Sequence, residues 1–513
     1  MAILFLKGST SAANTTSIVP VALVFLVVAT VAWLANRHRR LSHIPGPFWA
    51  KLTDVPRFRW AWSNKIHERH IALHRQYGDV VRFGPNCSNF YRVLQPMAHG
   101  HVMQGLFNTQ DDKLHRSLKR PIAGIYSMTN LVSFEPYVDT TMGVFFERLE
   151  QEQLRKAAYG SDATSDLGSW LLFFAFDVMG EITFSKRFGF LDTVSDVDGI
   201  IGDIYKFFSY THAVGQMPML DRLWAKNPLV NWFRSAKTSA VVAFAQARAK
   251  ERNATASPEK ADEYNSRDFM SRFIETRAKD PSIPEGFLTA WATSNVQAGS
   301  DTTAILLRAI VHFLLTNPSS LAKLRAELRL AQQEGRLSAY GGHGVVTWKE
   351  SRELPYLDAC VKEASRLHSP VGVTMERVVK TKDGLGTEVC GTHLPEGTVV
   401  GMNPWVVHRD RDIFGADADE WNPDRWMGPK DERRAAMERS LLTFGAGHRT
   451  CIGKNISYLE IYKLIPTLFA RYDITLETPE KWGIVNHWLV FQNGLNVRIT
   501  LRDEEKEGSL VDV

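Results

Sequence analysis

The sequence contains few cysteines, and this scarcity limits what kind of protein it encodes. Cys87, Cys360, Cys390 and Cys451 are the only four among 513 residues, and no two of them are closely spaced. Disulfide-rich proteins and Cys-x-x-Cys zinc sites both need paired cysteines. The sequence therefore argues against both classes, and most of the chain is expected to face a reducing compartment.

The body of the chain also lacks linkers that would divide it into domains, internal repeats and low-complexity tracts. Length alone favours about three domains, but the polar stretches 252–268 and 334–344 are short and typical of loops between helices. The net charge is +5, and no basic run with interleaved aromatic residues occurs in the body of the chain. We therefore expect one large domain and no nucleic-acid partner.

One long apolar run is present near the N-terminus, at residues 18–34. As a helix it would be about 26 Å long, close to the ~27 Å hydrocarbon core of an endoplasmic reticulum membrane. Arg37, Arg39 and Arg40 follow the run, whereas Lys7 alone precedes it. The positive-inside rule then predicts a single-pass anchor in that membrane, with the body of the chain in the cytosol. A cleaved signal peptide is the alternative, but the run is longer than a usual signal core.

These patterns predict five segments. They are a lumenal N-terminus at 1–17, a transmembrane anchor at 18–34, a basic and proline-rich linker at 35–49, a main domain at 50–502 and an acidic tail at 503–513. Pro45 and Pro47 make the linker a stiff, non-helical elbow. The main domain is predicted to begin with a helix from Trp60 to Tyr77, followed by a strand at 80–83. Asn14 begins an Asn-x-Thr sequon, which would be a glycosylation site on the lumenal side.

Residues 444–453, Phe-Gly-Ala-Gly-His-Arg-Thr-Cys-Ile-Gly, form a glycine-rich loop just before an apolar helical pattern. Glycines let a backbone fold around a sulfur and direct N–H groups towards it, and the following helix adds its positive end. Cys451 is therefore a candidate metal ligand. A dinucleotide-binding loop would need a third glycine where Thr450 stands. A buried structural cysteine would need neither the glycines nor the arginine.

The spacing Phe-x-x-Gly-x-Arg-x-Cys-x-Gly is identified as the haem-binding signature of the cytochrome P450 family. The resemblance implies that Cys451 is the axial ligand of haem b, and that Phe444 and Arg449 also lie at the cofactor. It extends from the proline elbow to about Thr500, which is nearly the whole chain. The implied fold is the cytochrome P450 fold, mainly α with a small β-rich part, preceded by one N-terminal transmembrane helix.

A second motif, Ala-Gly-Ser-Asp-Thr-Thr at 298–303, is predicted to lie in the middle of a helix that Pro318 closes. A glycine in that position costs about 1 kcal/mol relative to alanine. A threonine hydroxyl there can bond back to the preceding turn, which would loosen the helix and open a groove for dioxygen. In the family this motif is the acid-alcohol pair that delivers protons to dioxygen, which implies those roles for Asp301 and Thr302. A contact between small residues of two packed helices is the alternative.

Charged residues further along the chain match two more family motifs. Glu363 and Arg366 are three apart on a helix predicted to begin at Pro355, so they share one face. With Arg425, in Pro-Asp-Arg-Trp at 423–426, they are implied to form a buried charge cluster. An exposed, weak helix pair is the alternative reading. The resemblance implies that His408 is structural or contacts a haem propionate.

The residues that hold the haem propionates are harder to assign, because the chain departs from the family here. His115 and Lys119 stand where relatives carry the tryptophan and arginine of Trp-x-x-x-Arg. The resemblance therefore implies His115 or Lys119 as a propionate partner, with Arg377 and Arg449 as further candidates. A solvated basic patch is the alternative interpretation.

The implied activity is monooxygenation, in which one oxygen atom of O2 enters an apolar small molecule. Electrons would come from NADPH through NADPH-cytochrome P450 reductase, with cytochrome b5 as a second candidate donor. A basic patch is predicted for the docking of that partner. Its predicted members are Lys119, Arg120, His448, Arg449, Lys454 and Lys463.

Aromatic residues and methionines in segment 200–232 suit the roof of an apolar substrate pocket. By position in the family, the other predicted pocket residues are Ala298, Val371, Val373, Thr374 and Leu489 or Val490. The segment 403–426 resembles fungal microsomal members similar to pisatin demethylase. That resemblance favours the tailoring of a fungal terpenoid, polyketide or alkaloid, with detoxification of plant antifungal compounds as the alternative.

Two other kinds of haem protein remain as alternatives. A thiolate-haem isomerase or dehydratase would share the cysteine loop, but such enzymes usually lose the pair at Asp301 and Thr302. A non-catalytic haem sensor would not require an anchor, an apolar roof and an oxygen groove together.

Overall fold

The structure is a computed structural model. It describes residues 39–85, 90–95, 97–98, 101–102, 104–158, 164–227, 229–230, 240–254, 268–339, 344–477 and 479–502, with 24, 25, 28, 29 and 32 from the apolar run. The predicted lumenal segment 1–17 with Asn14, most of the predicted anchor 18–34, Cys87 and the acidic tail 503–513 lie outside the described residues.

Helices make up most of the described chain. The long ones are Glu135–Ala158, Leu167–Phe184, Ile200–Val214, Ala240–Ala254, Gly286–Thr316, Pro318–Gln333, Pro355–Leu367 and Lys454–Arg471. The shorter ones are Phe48–Leu52, Val55–Trp62, Ile66–Tyr77, Phe90–Val93, Asp112–Lys119, Met128–Leu131, Phe190–Thr193, Pro218–Leu223, Phe269–Lys279, Trp348–Ser351, Pro404–Val407, Arg411–Phe414 and Glu432–Ser440.

Strands are short and pair only antiparallel within the described residues. Asn496–Leu501 lies between Ser165–Asp166 and Tyr472–Leu476, with Ile499 opposite Ile474. Gly483–His487 and Leu489–Asn493 form a hairpin, and the other pairs are Met97–Ala98 with His101–Val102, Arg377–Val378 with Val399–Val400, and Thr387–Val389 with Thr392–Leu394. The prediction of a mainly helical fold with a small β part is confirmed.

The chain divides into two compact units. The first comprises Met1–Arg57, Ala72–Ser88 and Glu376–Val400, and its small core contains Leu41, Ile44, Val379 and Leu394. The second comprises Phe58–Ile71, Asn89–Met375 and Gly401–Val513 and holds the large apolar core. The single main domain predicted at 50–502 thus includes both the large unit and part of the small one.

The core of the second unit is built around the helix Gly286–Thr316, here called the central helix. It packs most extensively against Leu167–Phe184, in which nearly every residue is buried. Both helices are apolar around most of their circumference. Leu167–Phe184 is buried on nearly all sides, and the central helix is buried over most of its surface. The central helix therefore runs through the interior, and the motif at 298–303 lies near its middle.

Close packing explains the glycine in that motif. A Cβ at Gly299 would lie 2.7 Å from Sδ of Met179 on the neighbouring helix, which is closer than carbon and sulfur atoms approach. The alternative of a contact between small residues of two packed helices therefore applies to Gly299. The close helix–helix contact offsets the propensity cost of a mid-helix glycine.

Two local predictions near the N-terminal end of the body are wrong. Residues 80–83 were predicted to form a strand, but they are irregular, and the Arg82 N–H donates 2.7 Å to the carbonyl oxygen of Pro45. Gly46 permits this contact, since a Cβ there would lie 2.0 Å from the Arg82 oxygen. The helix predicted from Trp60 to Tyr77 is interrupted at Asn64, whose φ is 59°.

Two helices among the described residues are long and apolar enough to cross a membrane, namely Leu167–Phe184 and Gly286–Thr316. Both lie mostly inside the protein, with 89% and 67% of their most apolar windows buried. They are core helices, which satisfy the same criteria of length and composition.

Candidate functional site

Two short 3-10 turns shape the cysteine loop, Phe444–Gly453, which leads into the long helix Lys454–Arg471. Leu442–Phe444 and Gly447–Arg449 are the turns, and Gly445 and Gly447 adopt φ values of 69° and 67°. These left-handed conformations favour glycine. The Cys451 N–H donates 2.9 Å to the Phe444 carbonyl oxygen and closes the loop.

Cys451 combines an open side with a desolvated sulfur. The residue is exposed, yet burial of the thiol by the surrounding protein raises its pKa. Backbone N–H groups of Gly453 and Lys454 point at the sulfur and oppose that rise, as do the charges of Lys119 and Lys454. A metal ion would favour the thiolate that burial disfavours, so an exposed cysteine with N–H groups directed at its sulfur suits a metal ligand.

Cations surround the loop. Lys119 donates through Nζ to the carbonyl oxygens of His448, at 2.9 Å, and Thr450, at 3.4 Å. Arg449 pairs with Asp112, with 2.8 Å between Nη2 and Oδ1. The structure therefore brings Lys119, Arg449 and Cys451 together, as predicted, and the carboxylate of Asp112 accompanies them.

His115 lies on the same short helix as Lys119, Asp112–Lys119, and is buried. Desolvation is the main reason why the pKa of His115 falls to about 4, and the nearby cations Arg449 and Lys119 lower it further. The imidazole is therefore neutral near pH 7. It can donate a hydrogen bond to an anion there, but it does not contribute a positive charge.

The central helix buries the side chain of Asp301 more completely than that of Thr302. Asp301 is buried, and its Oδ2 has no hydrogen-bond partner among the described residues. Burial raises the pKa of Asp301 to about 7, although the charge of Arg308 opposes this. Thr302 is half-buried and donates 2.7 Å to the carbonyl oxygen of Ala298, one turn earlier, as predicted.

The central helix and the helix after the cysteine loop touch beside both motifs. Oγ1 of Thr303 lies 2.8 Å from Oγ of Ser457, and both side chains are buried. Ala298 is exposed and its neighbours Gln297 and Gly299 are half-buried, so this part of the central helix has an open face. An exposed cysteine, a buried acid with a pKa of about 7 and an open apolar part of a helix fit a thiolate-ligated haem.

The predicted charge cluster is confirmed. Glu363 and Arg366 are both fully buried, with 2.7 Å between Oε1 and Nη2. Arg425 joins at 3.0 Å from Glu363, and the Trp426 indole N–H donates to the same carboxylate at 2.8 Å. A buried carboxylate that accepts this many bonds holds its neighbours firmly in place, so the alternative of a weak exposed pair is wrong.

His408 is structural rather than a free cofactor contact, since both ring nitrogens have backbone partners. The Leu442 N–H donates 2.7 Å to Nε2, and Nδ1 lies 2.8 Å from the Arg366 carbonyl oxygen. Arg366 returns a bond of 2.7 Å from Nη1 to the His408 carbonyl oxygen.

Sequence reasoning missed a pair of asparagines that hold one carbonyl group. Asn486 and Asn403 both donate through Nδ2 to the oxygen of Gly372, at 2.9 and 3.2 Å. Each amide also lies beside a histidine Nδ1 of the helix Ile66–Tyr77, at 3.2 Å from His67 and 3.1 Å from His70. We call this group the asparagine clamp.

A repeated sequence pattern could have revealed the clamp. The form Asn-x-Trp occurs at 403–405 and again at 486–488. In each, the asparagine Oδ1 accepts the backbone N–H of the tryptophan at 3.0 Å. An asparagine that bonds to the backbone two residues on leaves its amide group free to hold a third segment.

The predicted pocket residues divide by exposure. Val373, Leu489 and Val490 are buried in the core, whereas Val371 and Thr374 are half-buried. Because Val490 is fully buried, it is a packing residue rather than a lining one.

The predicted roof contains the helices Ile200–Val214 and Pro218–Leu223. Phe207 and Met219 are exposed there, and Phe208 stacks on Trp488 with 5.6 Å between ring centroids. Part of the segment, at 228 and 231–232, lies outside the described residues.

One member of the predicted basic patch was misplaced. Lys463 is fully buried and pairs with Glu135 and with Asp139, the latter at 2.8 Å. It lies on the inner face of its helix, so it cannot contact a docking protein. Arg120 and His448 are exposed, and Lys454 is half-buried.

Two further candidates have defined surroundings. The Phe444 ring is half-buried and packs edge-on against Tyr458, 5.1 Å between centroids. Arg377 belongs to the first unit, is exposed, and donates 2.8 Å to the carbonyl oxygen of Glu376. Their contacts with a cofactor stay predictions.

Comparison with known proteins agrees with this site. A family model described as Cytochrome P450 matches residues 92–497. A cytochrome P450 monooxygenase of Aspergillus terreus is 48% identical over 88% of this chain and 93% of its own length. Cytochrome P450 monooxygenase cicH of Emericella nidulans is 46% identical over 94% of this chain and 98% of its own length.

Structural comparison supports the fold. The crystal structure of cytochrome P450DA heme domain superposes with a TM-score of 0.61 at 15% identity, covering 79% of this chain and 80% of that one. The family of the relatives implies a haem cofactor, a redox partner and a small-molecule substrate. The chain therefore belongs to the cytochrome P450 family and is an oxidoreductase of the monooxygenase class.

Proposed function

We propose that the protein is a haem-thiolate monooxygenase in which Cys451 is the iron ligand and the substrate is an apolar fungal secondary-metabolite intermediate. The observation that carries this proposal is the half-open Cys451 sulfur, with two backbone N–H groups behind it and cations beside it. When bound, a thiolate-ligated haem supplies the chemistry that activates dioxygen.

Residues around the loop would hold the cofactor. Lys119 and Arg449 provide positive charge for the propionates, and neutral His115 provides a hydrogen-bond donor. Phe444 packs beside the loop. Arg377 is the remaining propionate candidate, on the strength of the family resemblance alone.

Asp301 and Thr302 of the central helix would deliver protons for the reaction. An acid with a pKa near 7 exchanges protons readily at neutral pH, which is the condition for general acid catalysis. The Thr302 hydroxyl donates to the Ala298 carbonyl oxygen, so its own oxygen lone pairs remain available to accept. Asp301 would supply the proton and Thr302 would place it.

The proposal of an apolar substrate is supported by a cluster of aromatic residues around Trp488. Trp488 stacks between Phe90 and Phe208, at 5.9 and 5.6 Å between ring centroids, and Phe107 meets it edge-on at 5.4 Å. Such a group binds bulky apolar skeletons rather than small polar molecules. Fungal relatives named as monooxygenases agree with a role in tailoring metabolites.

The cellular setting follows from the N-terminal sequence. The apolar run 18–34 and its basic flank would anchor the protein in the endoplasmic reticulum membrane with the enzyme body in the cytosol. NADPH would then deliver electrons through NADPH-cytochrome P450 reductase, and cytochrome b5 is a second candidate donor.

Product analysis tests the proposal. Microsomes that co-express the protein and the reductase would be fed a panel of terpenoids, polyketides and alkaloids, with and without NADPH. We expect an oxygenated product of one of them that requires both NADPH and the reductase. Turnover without a reductase would indicate an isomerase or dehydratase instead.

Gene deletion tests the biological role. We expect loss of one metabolite and accumulation of a less oxidised precursor. An unchanged metabolite profile with new sensitivity to a plant antifungal compound would establish detoxification instead.

A further inference from the structure

We infer that His408 is a positioning residue for the cysteine ligand, because its imidazole links the backbone of Arg366 to that of Leu442 and so fixes where the cysteine loop begins. This inference rests on the proposed role of Cys451 as the iron ligand.

The hydrogen bonds define the state of the imidazole. Because the Leu442 N–H donates to Nε2 at 2.7 Å, Nε2 carries no proton. Nδ1 must then carry it and donate to the Arg366 carbonyl oxygen at 2.8 Å. Arg366 donates back to the His408 carbonyl oxygen at 2.7 Å, so the two residues are held by a reciprocal pair of bonds.

Two backbone hydrogen bonds connect the turn that begins at Leu442 to the ligand. Leu442 begins the 3-10 turn Leu442–Phe444, and the Gly445 N–H donates 2.8 Å to its carbonyl oxygen. Phe444 in turn accepts the Cys451 N–H at 2.9 Å. The hydroxyl of Thr443 donates 2.8 Å to the Ser365 carbonyl oxygen, so the helix Pro355–Leu367 holds the start of the loop at two adjacent residues.

A neutral imidazole is needed in this position. The first N–H groups of a helical turn lack partners within the turn, so Leu442 needs an acceptor from outside. His408 is fully buried, and the cationic groups that face it are Arg366 and Arg409. Burial, more than these charges, lowers the pKa of His408 to about 3, so the acceptor at Nε2 persists over the physiological range.

Two substitutions separate the two bonds of the ring. In His408→Gln the amide oxygen can reach the position of Nε2 and accept from Leu442. In His408→Asn the shorter amide can replace Nδ1 as donor to Arg366, but it leaves the Leu442 N–H without an acceptor. His312→Gln is the control, since His312 is a buried histidine stacked on Trp482, with a pKa lowered to about 4 by burial.

The holoenzyme variants would be compared by the red-shifted band of the reduced carbon-monoxide complex, by haem content and by amide hydrogen exchange over 441–445. We expect His408→Asn to keep haem but to lose much of that band. Exchange over this segment should rise roughly tenfold, the usual effect of losing one hydrogen bond to a buried group. His408→Gln and His312→Gln should keep both the band and the slow exchange.

Equal behaviour of the Asn and Gln variants, in either direction, would overturn the inference. If His408→Asn does not accumulate, His408→Gln decides: retention of band and slow exchange supports the inference, and their loss refutes it. Failure of the proposed function is distinguishable, because Cys451→Ala would then keep the band whatever the residue at position 408.

Discussion

Asn486 donates a hydrogen bond of 2.9 Å to the Gly372 carbonyl oxygen, and Asn403 donates a second one to the same atom. The segment between the helix Pro355–Leu367 and the strand Arg377–Val378 is thereby fixed from two sides. A Cβ at Gly372 would lie 2.4 Å from the Asn486 amide nitrogen, so only glycine allows this approach.

The asparagine clamp predicts a non-additive loss of stability. Asn486→Asp and Asn403→Asp each replace one amide donor while keeping the oxygen that accepts the tryptophan N–H. Each should cost about 1–3 kcal/mol, and the double variant should cost more than the sum, because only then does Gly372 lose both donors. Denaturant unfolding of the four proteins at one pH measures this, and strict additivity would contradict the shared-acceptor geometry.

The ligand prediction concerns Cys451. Cys451→Ala removes the only sulfur in the loop, so the red-shifted band of the reduced carbon-monoxide complex should disappear. Cys360→Ala is the control, because Cys360 is a free cysteine that is buried in the apolar core and does not belong to the cysteine loop. Its spectrum should be unchanged, and a persistent band in Cys451→Ala would disprove the assignment.

Thr302→Ala should separate haem binding from product formation. We expect normal haem content and continued NADPH oxidation, with product yield reduced by ~10² to 10⁴, the usual range for proton-transfer catalysis. Peroxide release measures the electrons that are lost. Thr303→Ala, whose hydroxyl contacts Ser457 rather than an open face, is the control and should affect stability more than coupling.

Asp301 predicts a specific pH dependence. Its pKa is about 7 in the fold, above its ordinary value of 3.8, so folding favours the protonated acid. Stability from this group is complete below about pH 4 and is lost as pH rises through 7. Asp301→Asn lacks the ionisation, so its stability relative to the native protein should increase from pH 5 to 7 and then level off. A difference that is flat with pH would show that Asp301 is not neutral in the fold.

Partner docking gives a test of the corrected basic patch. Arg120→Glu should slow first-electron transfer from the reductase at low salt, because Arg120 is exposed beside the cysteine loop's cations. Lys206→Glu is the control, an exposed lysine on the helix Ile200–Val214. Stopped-flow reduction rates that are equal in both variants and independent of ionic strength would exclude this surface.

Motif spacing predicted the cysteine loop, the mid-helix position of Asp301 and the pairing of Glu363 with Arg366, because those features depend on local sequence. Arg425 is 62 residues from Glu363, and only the family resemblance indicated that it joins the pair. The burial of Lys463 and the packing of Gly299 on Met179 were not predicted. Both depend on which face of a helix meets another element distant in sequence. The same limit hid the asparagine clamp, in which residues 67, 70, 372, 403 and 486 converge.

The strand predicted at 80–83 failed for a related reason. Val80 and Val81 favour a strand locally, but Arg82 bonds to the backbone of Pro45 and to the carbonyl oxygen of Lys51 at 3.2 Å. Pro45 lies in the predicted linker 35–49, and Lys51 is 31 residues before Arg82, so neither contact is visible in the local sequence pattern.

Because the Lys463 side chain is fully buried, its chemical modification would report the rate of unfolding. Amine-acylating reagents need a free, solvated amine, and this one is bonded to two carboxylates and to the Val346 carbonyl oxygen. Exposed lysines such as Lys206 would be acylated within the first moments of exposure. Lys463 would be acylated only when the helix Lys454–Arg471 separates from its neighbours. The rate of acylation at this residue, measured by mass spectrometry, would therefore give the rate of that local unfolding under native conditions.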